Sequence, residues 1–145
     1  MNWTEYFFEM AKVAASKSKD RSRGVGAVIA NDDKRILSVG YNGFPSGCND
    51  NIEERHERPA KYLWTEHAER NAIYSAGRSG VPLIGATMYV TLFPCPGCAR
   101  AIIQSGIKKV FTIKPDFEDK NWGEKWQVSM EMLYDGGVAL EFIKI

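Results

Sequence analysis

"TLFPCPGCAR", residues 91–100, decides how the rest of the chain is read. Pro94 restricts Phe93 to extended backbone, so the β-rich run before it, "ATMYVTLF", ends abruptly. Pro96 suits the first position of a helix, where a missing N–H costs nothing. The stretch therefore reads as a strand, a sharp turn and a helix over residues 96–105, with Gly106 as its stop. Cys95 stands at the strand's tip and Cys98 in the first helical turn. Unpaired N–H groups and the positive end of the helix dipole stabilise thiolates there. In an α/β sheet that tip is the usual place for a ligand.

Working outward, residues 3–17 carry Trp3, Tyr6, Phe7, Met10, Val13 and Ala14 at helical spacing. "GAVIA" and "RILSVGY" read as strands joined through the turn "NDDK". Residues 42–64, with Gly43, Pro45, Gly47 and Pro59, read as a long irregular functional loop. "EHAERNAIYSAGR" is a helix ending near residues 77–80. "KKVFTI" is a strand, residues 115–123 a loop, residues 124–135 a helix, "DGG" a turn and "VALEFIKI" a last strand. Strands alternating with helices after an initial β-hairpin predict an α/β fold: a three-layer α/β/α sandwich around a mixed sheet of about five strands. The expected organisation is one domain over residues 1–145, without repeats or linkers.

Apolar residues make up 44% of the chain, which predicts a packed core. Lys plus Arg is 19 and Asp plus Glu 18, so the basic excess of a polynucleotide binder is missing. A local cluster of cations for a small anion needs no such excess. "MNWTEYFFEM" lacks the features of a secretory signal, and no apolar run approaches membrane-spanning length. The expectation is a cytoplasmic protein with no membrane partner. Three cysteines, an odd number with one close pair, then favour a metal or catalysis over a disulfide framework.

His67 is the first partner for Cys95 and Cys98. Zinc takes Cys thiolate and His nitrogen tetrahedrally, and three protein ligands leave one position for water, as in catalytic sites. Glu69, two residues after His67, can serve as a fourth ligand or as the carboxylate that moves protons for that water. The order H-x-E followed by P-C-x-x-C, here His67-Ala68-Glu69 and Pro94-Cys95-Pro96-Gly97-Cys98, is the pattern of zinc nucleobase deaminases, in which the Glu is a general acid/base and not a ligand. Taken singly, a His is more often a core or surface residue, and a C-x-x-C can be a redox pair or half of a closed structural site completed by Cys48 or His56.

With "RGVGAVI", "GYNGFPSG", "HAERNAI" and "TLFPCPGCARAIIQSGIKKV", the chain resembles the cytidine deaminase superfamily over nearly its whole length, and most closely the dCMP deaminases. The resemblance implies a cytidine deaminase-like fold and hydrolysis of dCMP to dUMP with release of ammonia. It implies zinc on His67, Cys95 and Cys98, with Glu69 carrying protons from water to N3 and then to the leaving amine. It places Asn42 at the sugar, Ala68 among the substrate-binding positions, and Phe117 at an aromatic position against the base. It further implies a homo-oligomer, a hexamer in many relatives, with dCTP and dTTP as effectors. A Mg2+-bound effector triphosphate would lie on the loop of Asn42, Gly43 and Gly47, with Arg78 near the subunit interface. Some phage relatives hold a second, structural zinc. No second cysteine lies near Arg23 here, so none is expected, and Cys48 is expected to be a free thiol, buried or partly exposed.

The residues alone leave other readings open. Asn42 reads equally as a plain turn residue, Phe117 as ordinary core and Arg78 as a solvated helix end. Trp122 and Trp126 either line a pocket or cap the core. "RSR", residues 21–23, can neutralise a phosphate or form a solvated loop, and "ERHERPAK" reads as an exposed or interface segment. Competing functions are a deaminase of dCTP, a tRNA or polynucleotide deaminase, and a zinc-stabilised module without catalysis.

Overall fold

The computed structural model describes residues 1–144. Helix α1 spans Trp3–Ala15 and begins with a capping box, in which Asn2 accepts from the N–H of Glu5 and the Glu5 side chain accepts in return from the N–H of Asn2. Strands β1 (Gly26–Ala30) and β2 (Ile36–Tyr41) form the antiparallel hairpin that the sequence predicts. In its turn Asn31 accepts from the N–H groups of Asp33 and Arg35. A 3-10 turn at Glu53–His56 and helix α2 (Lys61–Trp64) follow. Then come α3 (Ala68–Arg78), β3 (Thr87–Val90), α4 (Pro96–Gln104), β4 (Lys109–Thr112), α5 (Gly123–Asp135) and β5 (Ala139–Phe142).

The five strands form one mixed sheet in the order β2-β1-β3-β4-β5. β1 is antiparallel to both neighbours, and β3, β4 and β5 run parallel. Alternation along β1 divides the core: Ala27 and Ile29 face α3 and α4, whereas Val28 and Ala30 face α1 with Phe7 and Ala11. The α/β/α layering and the five-stranded sheet agree with the sequence reading.

Two expectations need correction. The segment of residues 42–64 is not an irregular loop throughout. An aromatic stack closes it: Phe44 lies 4.8 Å from His56 and 5.8 Å from Trp64, and the Arg55 guanidinium sits 3.9 Å over Trp64. Such stacking between residues distant along the loop leaves no periodic trace in sequence. "ERHERPAK" is not simply exposed either, since Lys61 is buried.

Gly40 fixes how α3 lies on the sheet. A Cβ on Gly40 would collide with the backbone of Ala68 and Ala72, so the helix rests directly on β2. Ser38 on the same strand donates to the carbonyl of Ala72 at 2.6 Å. Gly40→Ala is expected to destabilise the fold by about 2 kcal/mol or more, read as a lower urea midpoint. Because the start of α3 must shift, bound zinc should fall with it.

Candidate active site

Two helices begin at the same end of the sheet, and each is capped by a residue of the motif. His67 is the N-cap of α3 and Cys95 the N-cap of α4, both in extended backbone, with Pro96 opening α4. His67 Nδ1 lies 3.5 Å from Cys95 Sγ and 3.4 Å from Cys98 Sγ. A tetrahedral zinc with Zn–S ~2.3 Å and Zn–N ~2.0 Å separates its S and N ligands by about 3.5 Å, so the donor set and its spacing fit that ion. Among the described residues, the group able to hold a metal is His67, Cys95 and Cys98. Cys48 is exposed, and His56 Nε2 lies 2.6 Å from the carbonyl oxygen of Asp50. Neither completes a closed structural site.

The electrostatics follow from convergence. A hydrogen bond from the Cys98 thiol, opposed by burial and reinforced by His67, brings the Cys95 thiol down to about 3. The same bond pushes the Cys98 thiol up, helped by burial and the Glu69 carboxylate. The hydrogen bond to Cys95 raises the His67 imidazole. A divalent cation takes the place of these shared protons and releases them on binding.

Glu69 lies in the first turn of α3 and is only 4% exposed. Burial raises its carboxyl above the ordinary range. It stands outside the three-donor group, which fits a proton carrier better than a ligand. Behind the donors, Glu66 Oε1 accepts from the N–H of His67 at 3.0 Å and from Arg70 Nε at 2.7 Å. Glu66 and Arg70 thus hold the backbone that carries His67.

A cavity of about 820 Å³ opens over this centre. Residues from before β1, after β2, from α2, after β3, after β4 and from α5 line it, all at one end of the sheet. Asn42 and Ala68 belong to its lining, together with His67, Glu69 and Cys95. Asn42 does more than turn the chain: Oδ1 accepts from the N–H of Val25 at 2.7 Å and Nδ2 donates to the carbonyl of Arg23 at 2.9 Å.

Phe117 is not among the lining residues; its ring meets Phe93 edge-on at 6.3 Å. The aromatic wall comes instead from Trp122 and Trp126, stacked at 5.2 Å, with Trp126 edge-on to Phe93. Gly43 pairs with Glu66 through two backbone hydrogen bonds and borders a second, smaller pocket. Gly47, with φ +87°, and Arg78, exposed in the last turn of α3, line neither cavity.

The sequence reading named part of the basic end of the cavity, the "RSR" stretch, and missed Arg58 and Lys61. Arg23, Arg58 and Lys61 line it with Ser22. Lys61 Nζ lies 3.1 Å from Ser22 Oγ and Arg58 donates to the same oxygen at 3.3 Å. The signal was present in "RSR" and "ERHERPAK", but nothing in one sequence says that segments 36 residues apart share a wall.

Comparison with known proteins agrees with this geometry. The family profile described as the cytidine and deoxycytidylate deaminase zinc-binding region matches residues 1–114. An uncharacterized deaminase from the luxG 3' region of Aliivibrio fischeri is 47% identical over 145 residues, covering 99% of this chain and 95% of that protein. Deoxycytidylate deaminase of Homo sapiens is 40% identical over 126 residues, covering 83% and 70%. The solved dCMP deaminase of cyanophage S-TIM5, in complex with dCMP and dUMP, superposes with a TM-score of 0.75 at 27% identity, covering 96% of this chain and 95% of that one.

Replacing Glu66 by Ala should weaken zinc retention roughly 10- to 100-fold, measured by competition with a chromogenic chelator. Unchanged retention would show that the Glu66 contact to His67 does not orient the ligand.

Proposed function

The chain belongs to the cytidine and deoxycytidylate deaminase family, and from that premise we propose that it hydrolyses dCMP to dUMP and ammonia. The observation that carries the reading is one cavity with a proton-transfer centre and a basic cluster. Zinc on His67, Cys95 and Cys98 supplies Lewis-acid activation of water at neutral pH. Glu69 takes one proton from the water that attacks C4 and delivers it to N3, then takes the second from the resulting C4 hydroxyl and delivers it to the amine. The C4–N bond breaks, a C4 carbonyl forms, and ammonia leaves. A buried carboxyl with a raised pKa suits a group that must both accept and return a proton.

The rest of the cavity supports a nucleotide. Trp122 and Trp126 offer aromatic surface to a base, in place of Phe117. The Asn42 N–H not committed to Arg23 is available to a sugar hydroxyl. Arg23, Arg58 and Lys61, with Asp20 beside them, leave two net positive charges, a match for a phosphomonoester of about −1.5 to −2. Near-neutral overall charge speaks against a tRNA or other polynucleotide substrate.

Regulation by dCTP and dTTP, with Mg2+ on the triphosphate, belongs to the same proposal. Its support is the pocket of about 250 Å³ bordered by Gly43, Lys17 and Lys19, which shares Asp20 and Thr65 with the larger cavity. Assembly into a homo-oligomer, a hexamer by family habit, is supported by Val39, Tyr41 and Tyr74, exposed on β2 and α3. A cytoplasmic location is part of the same reading. No helix among the described residues is long and apolar enough to cross a membrane.

Deamination of cytidine, dCMP and dCTP, each with and without dCTP or dTTP as effector, tests the reading by loss of cytosine absorbance. dCMP should be turned over best, and no turnover of any of the three would end the deaminase reading. Glu69→Gln should lower kcat roughly 10²- to 10⁴-fold while elemental analysis still finds one zinc per chain. Activity that survives this change would instead favour a zinc-stabilised module.

A further inference from the structure

Asp20 stands among the cations of the basic end and has no part in proton transfer. Its side chain is 10% exposed, and that of Lys61 is 11% exposed. A single oxygen, Oδ1, accepts from the N–H of Ser22 at 2.8 Å, the N–H of Arg23 at 3.1 Å and Lys61 Nζ at 3.3 Å. Burial pushes the carboxyl up, but the Arg23 and Ser22 N–H groups and the Lys61 ammonium outweigh it and hold it below its ordinary value. It is therefore charged at neutral pH.

A carboxylate in an anion site needs a reason. Burying it costs free energy that the Lys61 ammonium offsets in part, and the two N–H groups of the turn would be satisfied equally by the neutral oxygen of an Asn. Its negative charge subtracts from the pull of Arg23, Arg58 and Lys61 on every phosphate. It also forms part of the wall shared with the second pocket.

We infer that Asp20 is a specificity-determining residue that restricts the cavity to nucleoside monophosphates. The cluster balances one phosphomonoester, and the Asp20 carboxylate repels the further phosphates of a diphosphate or triphosphate. The discrimination is repulsive: a like charge is set against the wrong ligand, and the right one receives no extra attraction from it. The inference rests on the reading of this cavity as the dCMP site.

The test measures kcat/KM for dCMP and for dCTP, each as sole substrate, with the zinc-loaded wild-type chain, Asp20→Asn and Asp116→Asn. Asp116 also lines the cavity but follows β4 and lies outside the Asp20–Lys61 hydrogen bonds. The wild type should favour dCMP, and Asp20→Asn should raise the dCTP-to-dCMP ratio by about tenfold or more. Asp116→Asn should leave the ratio within about threefold. An unchanged ratio in Asp20→Asn, or an equal rise in Asp116→Asn, overturns the inference. Should Asp20→Asn not fold, the wild type decides the question by competition against dCMP at low ionic strength. Inorganic phosphate should inhibit at least as tightly as tripolyphosphate, and about tenfold tighter inhibition by tripolyphosphate overturns the inference. A wild type that turns over no dCMP overturns the underlying reading and the inference with it, whereas turnover of dCMP with an unmoved ratio overturns the inference alone.

Discussion

Two helix N-termini meet at one end of the sheet, and the centre depends on that meeting. Each start presents unpaired N–H groups and the positive end of a dipole, a setting that stabilises thiolate. His67 and Cys95 occupy the caps, so their side chains leave the helices where the axes converge. Their separation, 3.5 Å between Nδ1 and Sγ, follows from backbone contacts beside the donor residues. α3 lies directly on Gly40, and α4 follows β3 through a turn pinned by Pro94 and Pro96. Little freedom remains for the donors to relax apart.

Half of the buried polar side chains among the described residues line the large cavity. Asn42, Lys61 and Glu69 are three of the buried polar or charged residues, and all three line the large cavity. Each has a distinct reason to be tolerated. Asn42 hydrogen-bonds the segment that leads into β1, Lys61 pairs with Asp20, and Glu69 takes a proton more readily because water is excluded. The cavity thus has a group of metal-ligating side chains and a cluster of cations, held apart by different segments of the chain. The aromatic wall of Trp122 and Trp126 belongs to neither; it arrives from α5.

Local rules carried far in reading this chain. The hairpin, the order of strands and helices, and the start of α4 agree with expectation, because proline, glycine and side-chain periodicity act over a few residues. The metal donors were legible for a related reason. Their residue types and spacing are chemically narrow, and both caps sit at helix starts that the sequence marks. The segment of residues 42–64 was harder, because its order comes from rings stacking across the loop: Phe44 on His56 and Trp64. Phe117 and the two tryptophans show the same limit. Which of the aromatics near α5 faces the cavity depends on how the 115–123 connection folds back on Phe93, and no periodicity records that.

What the amino-acid sequence determined by itself is the α/β alternation, the hairpin and the identity of the three residues whose donor atoms converge, since each rests on short-range geometry or on the scarcity of suitable side chains. The tertiary structure alone decided the basic cluster of Arg23, Arg58 and Lys61, the buried partnership of Lys61 with Asp20, and the exchange of Phe117 for Trp126 on the wall. The physical reason is that charge and aromatic surface are common along any chain. They acquire meaning only when packing removes water and brings distant segments within a few ångströms.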